Sequence, residues 1–174
     1  MSFLSRIFGS RTGRGDAEPL YRAIVSAGRD PAWYRDGQVP DTIDGRFDMI
    51  AALLALVLIR LEAEGDRARA DSVLLAELFI DDMDGSLRQM GVGDLMVGKH
   101  VGRMMGALGG RLTAFRSALA AGRDLTAPVV RNIFHDAPAA DAGVAFVAGR
   151  LGAFYERLRQ VPAATLAAGE LPSP

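Results

Sequence analysis

An all-α fold is predicted by three features of the sequence. Apolar residues recur at spacings of three and four along most of its length, the mark of one buried helical face. Glycine and proline fall where those stripes stop, at Gly28, Gly65, Gly91, Gly122 and Pro162. No apolar/polar alternation bounded by turn residues is present to suggest strands. The expectation is a single-domain bundle of six to seven helices.

The elements follow in order. Residues 1–16 form a basic and apolar N-terminal arm, read as flexible, in which Phe3, Leu4, Ile7 and Phe8 fit one helical face beside Arg6. Such an arm either touches an anionic membrane reversibly or is a loose terminus. Residues 17–27 read as the first helix, with Leu20, Ile24 and Val25 inward. An aromatic connector with Trp33 and Tyr34 follows, the two rings expected to be partly buried. Asp41 or Thr42 then caps a helix carrying Ile43, Phe47, Ile50, Leu54, Leu58 and Leu61 and ending near Gly65. The third helix is predicted over 67–90 with Leu75, Phe79, Met83 and Leu87 every fourth residue. Asp94 caps a fourth, running to about 121, with the stripe Val97, Val101, Met104, Leu108, Leu112, Phe115 and Leu119. A short helix over 125–134, interrupted near Pro128, precedes a long one over 139–160 with Val144, Val147, Leu151, Phe154 and Leu158 as its apolar stripe. Residues 17–161 thus make the helical domain, and 162–174 are expected to be a loose tail.

Composition excludes several functions. The 174 residues are 49% apolar, enough for a full core. The net charge of −1 gives no bulk attraction to DNA. There is no cysteine, so disulfides, thiolate metal sites and cysteine nucleophiles are ruled out. The longest apolar run, 49–59, is about half of the roughly twenty residues a membrane span needs. The stretch 93–100 approaches a phosphate-binding loop, but His100 stands where a magnesium-holding Ser or Thr is required. Asp81, Asp82 and Asp84 echo a calcium loop that lacks its closing glutamate. His100 and His135 lie on different segments, without ligand spacing. No catalytic residue, cofactor or metal site is expected, and the chain does not read as an enzyme.

The segment 81–111 is the most informative. Gly91 and Gly93 form a hinge, Asp94 opens a helix, and glycines then recur at Gly98, Gly102, Gly106 and Gly110. Glycine costs about 1 kcal/mol in a helix interior relative to alanine, so one stripe of four calls for a packing or binding reason. Two readings stand. Either the bundle packs tightly on this stripe, or a client helix lies against it. Lys99, Arg103 and Arg111 flank the stripe, and the preceding helix carries Asp71, Glu77, Asp81, Asp82 and Asp84. Some of these opposite charges are expected to pair internally, and the rest to orient a partner.

GSLRQMGVGDLMVGKHVGRMM, within 85–111, and PDTIDGRFDMIAALLALVLIRLEAEG, over 40–65, resemble the two signature blocks of the ubiquinol–cytochrome c chaperone family. The resemblance implies a non-enzymatic chaperone that binds newly made cytochrome b and promotes assembly of the ubiquinol–cytochrome c reductase (bc1) complex. It further implies contact with a small partner assembly factor and the ribosome. The binding residues expected are Gly91, Gly93, Asp94, Gly98, Lys99, Gly102, Arg103, Gly106 and Arg111. Phe3, Leu4, Arg6, Ile7 and Phe8 are the expected membrane contact of a bacterial cytoplasmic protein, peripheral at the inner membrane. The alternative is a helical small-molecule or lipid-binding protein, related to quinone or haem.

Overall fold

A computed structural model describes residues 11–89, 94–137 and 140–174; the side chains of 11–14, 66–67, 87, 94–97 and 99–101 lie outside the description. The architecture is all-α, with no strand among the described residues. The elements are α1 (Arg11–Gly28), α2 (Pro31–Arg35), α3 (Ile43–Glu62), a 3-10 turn (Gly65–Ala68), α4 (Arg69–Gln89), α5 (Asp94–Ala120), α6 (Thr126–Asn132), α7 (Asp141–Gln160) and α8 (Ala163–Ala167).

Helix α3 is the axis of the bundle. Every residue from 48 to 61 is buried, because α1, α4, α5 and α7 surround it. The sequence explains this. An apolar stripe needs one partner, whereas the run MIAALLALVLI is apolar on all faces and needs neighbours all round. Thr42 caps the helix by accepting a hydrogen bond from the Gly45 amide at 3.1 Å. Near the other end, Arg60 donates to the Leu158 and Val161 carbonyls at 3.1 and 2.9 Å. It thereby satisfies backbone acceptors that the end of α7 leaves without helical partners. The predicted inward residues of α4 and α7 are buried where described, including Leu75, Phe79, Phe154 and Leu158.

Several expectations need correction. The first helix begins at Arg11, inside the predicted arm, and Pro19 is accommodated within it. Trp33 is fully buried rather than partly, its indole donating to the Ala27 carbonyl at 2.9 Å. The ring meets Phe146 edge-on at 6.5 Å and carries the Arg150 guanidinium over its face at 4.3 Å. Pro128 does not interrupt α6; it sits in the first turn, where no helical amide is lost. The tail is not loose. It forms α8, buries Leu166, and packs Gly169 against Pro19 of α1. The Pro174 and Ser173 carbonyls accept hydrogen bonds from Arg150 and Arg157, both at 3.0 Å. Ile43, assigned to the buried stripe of α3, is 63% exposed.

A cleft beside the glycine helix

The stretch GKHVGRMMGALGG folds as part of α5, whose inner face lies on α3. Leu108 and Phe115 are buried there, and Met104 and Leu112 pack against the core. At about 100° per residue, Gly102 and Gly106 fall on the side of the helix away from Leu108, Gly98 stands on its flank, and Gly110 is rotated towards α6. All four are exposed, and a methyl group added at any of them would meet nothing within 4 Å among the described residues. No described residue packs on this stripe. It faces outward along the longest helix described.

Arg111 behaves differently from the basic residues it was grouped with. It is 2% exposed and points inward. Its guanidinium pairs with Asp48 of α3, donates to the Asn132 carbonyl at 2.8 Å, and lies 5.5 Å from the centre of the Phe47 ring. Burial pushes the Asp48 carboxyl above its ordinary range and the Arg111 guanidinium below its own, while their mutual attraction opposes both shifts. His135 completes the group, its Nε2 standing 2.7 Å from the other Asp48 oxygen. His135 and Asp136 both adopt left-handed backbone angles, with φ of 53° and 56°. Such angles cost of order 1 kcal/mol each in non-glycine residues, and the turn is held by hydrogen bonds from the Asp136 amide to the Val130 carbonyl at 3.1 Å and from the Ala137 amide to the Phe134 carbonyl at 2.8 Å.

This group forms the floor of a cleft of about 640 Å³. Phe47, Ile50, Met83, Met104 and Ala107 supply apolar walls, and Ile43 stands at the rim. Arg29, Arg46 and Arg103 join Arg111 as lining cations, against Asp44 and Asp48. Arg103 and Ala107 lie between Gly106 and Arg111 around α5, so only the Gly106 edge of the bare face borders the cleft; Gly98 and Gly102 are turned about 140° and 180° away from Arg111.

The predicted site residues divide accordingly. Gly98, Gly102, Arg103 and Gly106 share the outward side of α5, and Arg103 also lines the cleft. Arg111 is a correction, since it is buried in an ion pair and does not belong to an exposed basic face. Gly91, Gly93, Phe3, Leu4, Arg6, Ile7 and Phe8 lie outside the described residues, as do the side chains of Asp94 and Lys99. Some of the charges on these segments pair elsewhere in the chain. Arg111 and Arg116 reach Asp48 and Glu62 of α3, while Arg88 pairs with Asp84 on its own helix.

Sequence reasoning missed Asp48, Ile43 and Phe47 as parts of a site. Asp48 did carry a signal. It is an acid at the edge of a long apolar run, and a charge carried into a core needs a partner. Among the described residues no cluster of His, Asp and Glu could hold a metal ion, and no helix is long and apolar enough to cross a membrane.

The two sequence blocks thus supply α3 and α5, whose contact builds the cleft. The family model for ubiquinol–cytochrome C chaperones matches residues 35–172, which spans both blocks. The chain belongs to this family. Among solved structures, it is similar to the crystal structure of the Cbp3 homolog from Brucella abortus. The two share 29% identity and a TM-score of 0.80, covering 98% of this chain and 96% of that one. A search among curated proteins gave no match.

Proposed function

We propose that this protein is an assembly chaperone of the bc1 complex that binds newly made cytochrome b without catalysing a reaction. Family membership over residues 35–172 is the observation that carries the reading. The geometry is in keeping with it. A holding protein needs an accessible surface that accepts apolar side chains, and the cleft beside α5 has apolar walls, adaptable methionines and an exposed rim at Ile43. A small-molecule carrier would instead enclose most of its ligand. A small partner factor, the ribosome and a peripheral position at the inner membrane complete the proposal. Within it, Gly91, Gly93, Asp94, Gly98, Lys99, Gly102, Arg103 and Gly106 are the proposed client contacts.

The test is genetic and biochemical together. Deleting the gene should lower cytochrome b and bc1 activity and leave unrelated respiratory enzymes intact. The tagged protein should co-isolate cytochrome b from solubilised membranes before the bc1 complex is complete. Normal bc1 levels in the deletion strain would sink the assignment.

A further inference from the structure

Of the three side chains grouped at the cleft floor, Asp48 and Arg111 are buried, whereas that of His135 is 63% exposed. The ring is nevertheless fixed, because its Nε2 stands 2.7 Å from one Asp48 oxygen. The backbone of His135 and Asp136 is left-handed, with φ of 53° and 56°. Two such non-glycine residues in a row are uncommon, and outliers of this kind gather at functional sites.

The contact with Asp48 fixes where the ring carries its proton. Arg111 pairs with the other Asp48 oxygen and favours the ionised carboxylate. An ionised carboxylate only accepts, so the nitrogen facing it must donate. In the neutral ring the proton therefore sits on Nε2, and Nδ1 is an acceptor. Nδ1 has no partner among the described residues. The adjoining cleft is walled by Phe47, Met83 and Met104, and methionine sulfur makes favourable contacts with aromatic rings. A side chain that fills an apolar space and also carries an N–H or O–H donor is that of tryptophan or tyrosine.

We propose that His135 is a recognition residue, whose Nδ1 accepts a hydrogen bond from a tryptophan or tyrosine side chain that the client inserts into the cleft. Calling the client cytochrome b rests on the proposed function; the acceptor and its tautomer do not. Acid removes the acceptor, because both nitrogens of an imidazolium donate. Recognition should therefore weaken in acid, although the imidazolium still holds Asp48. The charged groups around the ring are Arg29, Asp44, Arg46 and Asp48, Arg103 and Arg111 of α5, and Asp136 beside it in the chain. Substitutions at 135 leave all of these in place, so their comparison with wild type isolates the ring.

The probes are N-acetyltryptophanamide and its indole N-methyl derivative, which lacks the donor. Nitrogen-15 spectra of the full-length protein should place the His135 proton on Nε2, the signal being identified by its loss in His135→Gln. Wild type should bind the first probe about two- to tenfold more tightly than the second. His135→Lys keeps a donor for Asp48 but has no acceptor, and should abolish that preference. His135→Gln has both and should keep part of it. The wild-type preference should shrink from about pH 8 to about pH 5, the range in which histidine takes up its proton, and that of His135→Gln should not. A merely structural His135 leaves the two probes equal at every pH. Position 135 is exposed, and thermal melting checks that both variants fold. The wild-type comparison stands even where a variant does not. The proposal is overturned if the proton lies on Nδ1, if wild type binds the probes equally or not at all, or if His135→Lys keeps the preference. The functional reading is tested apart, by co-isolation of cytochrome b. Equal capture by wild type and His135→Lys leaves the function standing and removes His135 from it. If wild type captures none yet distinguishes the probes, the functional reading fails and the site serves another partner.

Discussion

Two groups of glycines in this protein differ in what surrounds them. Around the connector between α1 and α3, Gly28, Gly37, Gly45 and Gly143 are buried, and there is no room for a side chain at any of them. A Cβ at Gly45 would stand 2.0 Å from the Pro40 carbonyl oxygen, and one at Gly37 would stand 2.5 Å from that of Trp33. A Cβ at Gly143 would stand 2.8 Å from the Gly37 carbonyl oxygen, and one at Gly28 would lie 2.7 Å from Ile50 Cγ1. Along α5, a Cβ at Gly98, Gly102 or Gly106 would meet nothing within 4 Å among the described residues. The first group is explained by the fold itself, because backbone meets backbone there. The second meets no described residue and costs helix stability at each position.

The largest expected effect concerns Arg111, which fixes the inner side of α5 while the glycines leave its outer side open. Arg111→Met should cost about 3–5 kcal/mol, because Asp48 would remain buried without its guanidinium. Denaturant unfolding of the variant measures it, and a loss below 1 kcal/mol would show that the pair does not fix this face. The next effect tests the packed glycines. Gly45→Ala and Gly37→Ala should each lose about 1–3 kcal/mol through overpacking against backbone atoms that cannot move aside. Melting temperatures unchanged at both positions would break the contrast between the two groups.

Asp30 provides a smaller and pH-dependent check on the packed region. Its carboxylate caps α2 by accepting from the Ala32 amide at 2.9 Å and pairs with Arg150. The Ala32 hydrogen bond, with the Arg150 interaction second, holds its pKa below the ordinary carboxylate range. A depressed carboxylate contributes stability above its unfolded pKa and loses it as pH falls through the folded value. Asp30→Ala should therefore cost about 1 kcal/mol at neutral pH, typical of a lost cap. The gap from wild type should narrow as the pH falls below the ordinary carboxylate range. A gap that widens in acid would contradict the assignment of the shift to the ionised form.

The smallest effect has the opposite sign. Gly98→Ala, Gly102→Ala and Gly106→Ala should each stabilise the protein by about 0.4–1 kcal/mol, since alanine is the better helix former and has open space there. A stabilised triple variant that captures less client would sharpen the comparison. Destabilisation would mean that these positions have an internal neighbour after all.

The sequence by itself determined the helices, because spacing and capping are local. The α5 bounds, the Thr42 cap, the helix end at Gly28 and the inward residues of α7 follow from neighbours within a few positions. It also determined the family, through two blocks whose residues could be read directly. Only the tertiary structure decided which side of α5 is covered. A glycine stripe looks the same in sequence whether a helix of the same chain lies on it or nothing does. It likewise decided that Arg111 turns inward to Asp48, 63 residues earlier in the chain, and that the C-terminal residues dock on α1 and α7. Those outcomes depend on contacts between distant segments, and local periodicity carries no information about which distant segment arrives.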